Sequence, residues 1–232
     1  MDFEAPYYTT FAAAYVRGVA MQKPLGLEAT LLKKPLEGLT AEELEEIMAA
    51  GKAENLKLHY FKNTHEVLPR VKRVLSFLKS TDIATLLDVG SGRGVFLWPC
   101  LDAFPQLAVT GLDILPHRAA LLRTVQLGGL SRLEARLCDV CDAPLEDKCF
   151  DAVTLLEVLE HMKNPLAAIR AAVRMAGRYV VVSVPSKPDT NPEHIHLLTK
   201  DILTGYFLEA GCTRLHFDAV PGHLILIAVL DA

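Results

Sequence analysis

The chain has 232 residues, 51% of them apolar and 22% charged, enough to bury a sizeable core and unlike a disordered chain. With 28 acidic against 24 basic residues the net charge is −4, which excludes a uniformly basic protein drawn to phosphate. No uncharged apolar run approaches the roughly 20 residues of a membrane helix, and the acidic start Met1-Asp2-Phe3-Glu4 lacks the basic region of a secretory leader.

Residues 1–80 read as a helical extension. Tyr7, Tyr8, Phe11 and Tyr15 recur at near-helical spacing, as on a helix packed over a site. Thr40-Ala41-Glu42-Glu43 forms a capping box, and the helix it opens runs to Gly51. A further helix is predicted over His65–Lys79, with Val67, Val71, Val74, Leu75 and Leu78 on one face. Residues 51–80 hold seven Lys or Arg against two Glu, a local basic stretch read first as a solvated helix face.

From Ile83 onward, short apolar runs alternate with helical segments. Strands are predicted at Thr85–Val89, Ala108–Leu112, Leu133–Leu137, Phe150–Leu155 and Tyr179–Val184. The helices between and after them are Phe96–Ala103, His117–Leu127, Pro165–Met175 and Thr199–Ala210. This alternation predicts an α/β, doubly wound, mostly parallel sheet over residues 81–232. Arg214–Val220 and His223–Leu230 are separated only by Pro221-Gly222, a link that joins antiparallel neighbours and makes seven strands in all.

The sequence Leu87-Asp88-Val89-Gly90-Ser91-Gly92-Arg93-Gly94 takes a buried strand into a glycine turn and then a helix from near Val95. Glycine permits the sharp turn and lets a ligand lie against backbone. The spacing is Gly-x-Gly-x-Gly, and the acid two residues before the first glycine suits a cation better than a pyrophosphate, which disfavours a nicotinamide dehydrogenase. Asp113 ends the second strand, 19 residues beyond Gly94, where an acid accepts ribose hydroxyls. Asp139 follows the third strand, within reach of an adenine amino group. In an open parallel sheet these carboxyl ends gather at one ligand crevice.

These motifs resemble the class I S-adenosylmethionine-dependent methyltransferases. The resemblance covers residues 83–230 and implies strand order 3-2-1-4-5-7-6 with strand 7 antiparallel. It implies S-adenosylmethionine as cofactor, held by Asp88, Gly90, Ser91, Gly92, Gly94, Asp113, Ile114, Asp139, Val140, Leu156 and Glu157. It also implies that residues 1–80 form a lid whose Tyr60, Phe61 and nearby aromatics help choose a small-molecule acceptor. Base candidates are His161, after strand four, and His194 and His196, in the loop after strand five.

Glu157, Glu160 and His161 stand at i, i+3 and i+4, on one face if that segment is helical. With His194 they resemble the metal site of Hen1-type small-RNA 2′-O-methyltransferases, an alternative in which RNA is the partner. The primary reading needs no metal. A binding protein that keeps the cofactor pocket without turnover is the non-enzymatic alternative. Cys138-x-x-Cys141 with Cys149 lacks a fourth zinc ligand, and five scattered cysteines predict free thiols in a reduced, cytoplasmic setting.

Overall fold

The computed structural model describes residues 8–63, 67–188 and 190–231. Tyr7, His65 and Asp189 lie outside the described residues. The extension contains α1 (Thr9–Ala20), α2 (Ala29–Lys33), α3 (Ala41–Ala53) and α4 (Pro69–Lys79). The Thr40 capping box forms as expected: Glu43 N–H donates to Thr40 Oγ1 at 3.3 Å, and Thr40 N–H donates to Glu43 Oε2 at 2.7 Å. The fourth helix starts at Pro69, because a proline's fixed φ and missing N–H suit the first turn.

The rest alternates in chain order: β1 (Thr85–Val89), α5 (Leu97–Ala103), β2 (Ala108–Asp113), α6 (Pro116–Leu127), β3 (Leu133–Leu137), β4 (Phe150–Leu156), α7 (Pro165–Met175), β5 (Ala176–Pro185), α8 (Lys200–Glu209), β6 (Arg214–Val220) and β7 (His223–Val229). The sheet order is β3-β2-β1-β4-β5-β7-β6, with β7 antiparallel to both neighbours, as the resemblance implied. Register places Val89 beside Leu112 and Leu155, so the ends of β1, β2 and β4 open onto one edge.

One face of the sheet packs under the extension. A continuous apolar cluster joins Phe11, Ile47, Phe61 and Leu78 of residues 1–80 to Leu86, Trp98 and Leu122. Two glycines let α1 and α6 cross at backbone contact. A Cβ on Gly128 would lie 1.7 Å from the Ala14 carbonyl oxygen, and one on Gly18 would lie 1.9 Å from that of Thr124. Arg17 is buried on this helix and donates from one terminal nitrogen to the carbonyls of Leu32 and Lys34, at 2.8 and 2.7 Å. The other face buries Ile169, Ala172, Leu203 and Phe207 of α7 and α8.

Candidate cofactor and acceptor site

The turn after β1 takes the left-handed backbone that its glycines allow, with φ of +68° at Gly90, +58° at Gly92 and +84° at Gly94. Gly90 N–H donates to the Leu112 carbonyl at 2.7 Å, pinning the turn to β2. Asp113 closes it from that strand: Oδ2 accepts Gly92 N–H at 3.0 Å and Oδ1 accepts Leu115 N–H at 2.9 Å. The following helix starts at Leu97, two residues later than the expected Val95, so the amides nearest the site belong to the turn and not to the helix.

A cleft of about 800 Å³ opens beside this turn. Seven of the eleven expected cofactor residues line it: Gly90, Gly92, Asp113, Ile114, Asp139, Val140 and Glu157. Ile114 and Leu115 stay 59% and 47% exposed on its wall, an unusual display of large apolar side chains that suits a flat ring. Asp139 holds its own turn by accepting Cys141 N–H at 2.9 Å.

Four expected residues stand back from the cleft. Ser91 is buried and donates from Oγ to the Asp88 carbonyl at 2.9 Å. Leu156 packs into the apolar cluster, and Gly94 faces Trp98. Asp88 is 3% exposed; its Oδ1 accepts Thr154 Oγ–H at 2.8 Å and its Oδ2 has no hydrogen-bond partner among the described residues. Burial pushes its carboxyl up to about 6 against the pull of that hydroxyl, and the Asp113 charge adds to the rise.

The segment after β4 is not the helix that would align Glu157, Glu160 and His161. Glu157 is left-handed at φ +59°, and only a short 3-10 turn follows at Leu159–His161. The two halves therefore point apart. Glu157 turns toward β5 and β7, where Oε1 accepts Ser183 Oγ–H at 2.8 Å and Oε2 lies 3.0 Å from His223 Nε2. Arg70 Nε of α4 stands 3.8 Å from the same carboxylate. Sequence reasoning missed Ser183, His223 and Arg70, because only closure of the sheet and docking of the extension bring them to Glu157.

Glu160, His161 and His194 do come together, with candidate ligand atoms all within 4.8 Å of one another. The His161 and His194 rings meet edge-on at 4.7 Å, and His161 Nδ1 is 3.0 Å from the Glu193 carbonyl. His161 lines the cleft, whereas His196 is exposed on its loop and does not. Cys138, Cys141 and Cys149 are free thiols, as are Cys100 and Cys212. No helix among the described residues is long and apolar enough to cross a membrane.

A family model described as a methyltransferase domain matches residues 87–178. The ubiquinone biosynthesis O-methyltransferase of Xanthomonas campestris pv. campestris is 36% identical over 95 residues, which is 40% of this chain and 38% of that protein. The chain thus matches well under half the length of that relative. Among solved structures, a SAM-dependent methyltransferase from Aquifex aeolicus aligns with a TM-score of 0.55 at 17% identity, over 70% of this chain and 97% of its own. An O-methyltransferase family protein from Burkholderia thailandensis aligns at 0.59 and 15% identity, over 94% of this chain and 72% of its own. These two likenesses concern the fold.

Proposed function

We propose, from the methyltransferase domain that this chain carries at residues 87–178, that the protein transfers a methyl group from S-adenosylmethionine to a small-molecule acceptor. The observation that carries this reading is the ring of acids and apolar side chains around a left-handed glycine turn, all facing one cleft. On this reading Asp113 accepts ribose hydroxyls, Asp139 meets an adenine amino group, and Ile114 with Leu115 covers the ring, all four lining the cleft. Gly92 leaves room for the aminoacyl end against backbone, whereas the bare face of Gly90 is covered by Val158. Held by these residues, S-adenosylmethionine would supply an electrophilic methyl for in-line displacement by the acceptor.

The chain's own part is to bind, align and exclude water. His161 is the one of the three base candidates that lines the cleft. A carbonyl only accepts, so in the neutral ring Nδ1 carries the hydrogen toward Glu193, and Nε2 is the basic nitrogen that takes the acceptor's proton. His194 packs edge-on and fixes the ring. Glu157, held by Ser183 and His223, borders the cleft where the extension meets it. Residues 1–80 serve as the lid over the acceptor. Five free cysteines support a reducing, cytoplasmic setting.

Thermal unfolding with S-adenosylhomocysteine tests the cofactor. At about 100 times its Kd the ligand stabilises by roughly 2.7 kcal/mol, and Asp113→Ala removes the shift. No shift at saturating ligand would end the reading. A raised midpoint with no methyl transfer to a wide acceptor panel would leave the non-catalytic alternative.

The Glu160, His161 and His194 cluster favours a second reading, a metal-assisted transfer to a ribose hydroxyl of RNA. One carboxylate and two imidazoles suit a divalent cation, but Glu157, the fourth member of that set, is engaged by Ser183 and His223 instead. A midpoint raised by Mn²⁺ and lowered again by EDTA would favour it; indifference to both would remove it.

A further inference from the structure

Two carboxylates of the cleft wall flank the glycine turn, one on each side. Asp113, on the β2 side, uses both oxygens to hold backbone, at Gly92 N–H and Leu115 N–H. Glu157 stands on the β4 side. There β4 runs beside β1 with Leu155 opposite Val89, and Glu157 follows two residues later. The next residue, Val158, lies against the turn itself, since a Cβ on Gly90 would meet its Cγ2 at 2.6 Å. Asp88, the acid at the end of β1, is buried and does not line the cleft.

Glu157 is held in place from β5 and β7. Its backbone is left-handed at φ +59°, a conformation that a residue with a side chain keeps only when its surroundings over-determine it. The Ser183 carbonyl accepts its N–H at 3.0 Å, and the Ser183 hydroxyl donates to Oε1 at 2.8 Å. His223, the first residue of β7 and opposite Pro185 of β5, brings Nε2 to 3.0 Å from Oε2. A carboxylate only accepts, so Nε2 carries the hydrogen. Arg70 Nε stands 3.8 Å from Oε1, beyond hydrogen-bond distance. A carboxylate offers about four acceptor positions, so this one, 21% exposed, keeps capacity for a further donor. A solvated surface carboxylate needs no such frame, and the strain marks a position where its direction matters.

We propose that Glu157 takes the α-ammonium group of the bound cofactor, and that His223 is the positioning residue that aims its carboxylate. The inference rests on the methyl-transfer reading and deepens it, because it gives the ammonium a partner and the terminal hairpin a part in the cleft. A hydrogen bond between an ammonium and a carboxylate is about twice as strong as a neutral one. A carboxylate already fixed by Ser183 and His223 loses little rotamer freedom in making it. Arg70, and His223 when protonated, oppose the incoming positive charge, which keeps the expected gain near tenfold.

Calorimetric titration of the full protein with two ligands tests this. One is S-adenosylhomocysteine; the other is its deaminated analogue, which keeps the adenosine, thioether and carboxylate and lacks the ammonium alone. The wild type should bind S-adenosylhomocysteine about tenfold tighter than the analogue. Glu157→Gln should erase that preference while binding the analogue as the wild type does. His223→Ala should weaken S-adenosylhomocysteine about three- to tenfold, leave the analogue unchanged, and add nothing in a Glu157→Gln background. His223→Gln, whose amide can donate in its place, should recover part of the loss. A merely structural role for His223 would weaken both ligands together, so retained analogue binding also verifies that each variant is folded. Equal wild-type affinity for the two ligands, or a preference kept in Glu157→Gln, would overturn the proposal. So would no loss or an unselective loss in His223→Ala, or an undiminished one in the Glu157→Gln background. Binding of neither ligand by the wild type would fail the methyl-transfer reading itself, whereas unselective binding of both would fail this inference alone.

Discussion

Asp88 should make the protein more stable in mild acid. Burial beneath the glycine turn pushes its carboxyl up to about 6 in the folded protein against an ordinary value of 3.8, and one of its oxygens has no hydrogen-bond partner among the described residues. Between those two values the native state holds a proton that the unfolded chain releases. Stability therefore falls as pH rises through that window and is fully restored only below the unfolded value. Roughly two pH units at about 1.4 kcal/mol each make a penalty of about 3 kcal/mol at neutral pH. For a chain of this length that is a midpoint change of about 6–12 °C. Urea unfolding at intervals from pH 4 to 8, in wild type and Asp88→Asn, isolates the effect. The substitution removes the titration, while any cost of burying its amide is the same at every pH and displaces the curve without tilting it. The difference between the two curves should bend near pH 6 and flatten above it. Parallel curves would refute the buried-charge argument. A cationic ligand in the cleft favours the ionised form, so S-adenosylmethionine should bind with proton release near pH 6, and Asp88→Asn should abolish that release.

Two further outcomes follow from packing and from the carboxylate after β4. Gly94→Ala places a Cβ 2.1 Å from Trp98 Nε1 on a backbone with φ +84°, and combined strain and overpacking should cost about 3 kcal/mol; a urea-derived loss below about 1 kcal/mol would mean that the turn relaxes. His223→Ala takes a donor from Glu157, whose side chain is only 21% exposed, and should lower stability by about 1.5–3 kcal/mol. That loss should vanish in a Glu157→Ala background, which a double-mutant cycle reads directly; an unchanged loss would place the effect elsewhere in the hairpin.

What the sequence disclosed was mostly local. Apolar runs of five or six residues, a glycine turn and three acids at strand ends each announce themselves within a short window, and the sheet assembled around them in the expected order. Thr40 and Glu43 likewise cap a helix using contacts three residues apart. The segment after β4 was illegible for the opposite reason. Glu-Val-Leu-Glu-His has helical spacing and no glycine to announce a left-handed residue, yet Glu157 is held at φ +59°. Its N–H donates to the Ser183 carbonyl at 3.0 Å, and its carboxylate is met by Ser183 and His223, 26 and 66 positions away. Backbone strain of this kind survives only where distant partners over-determine it, and no local pattern encodes such partners.

The same reasoning explains how the extension bears on the cleft although none of its described residues lines it. The glycine turn is fastened below by Asp113 and behind by Trp98, which donates to Arg93. Trp98 in turn is wedged against Phe11 of α1 and Phe61 of the segment before α4. Helix α1 cannot drift from α6, because bare glycine backbone is what allows them to touch. At the far side, α4 brings Arg70 to Glu157 and Arg73 to Asp218 of β6, so the extension grips the sheet on both flanks of the site. Surface ion pairs of this sort contribute little alone, whereas the buried aromatic contact is stiff and desolvated. The glycine turn is therefore pinned to β2 and backed by a ring that the extension packs, so a change in how the extension packs reaches the turn through Trp98.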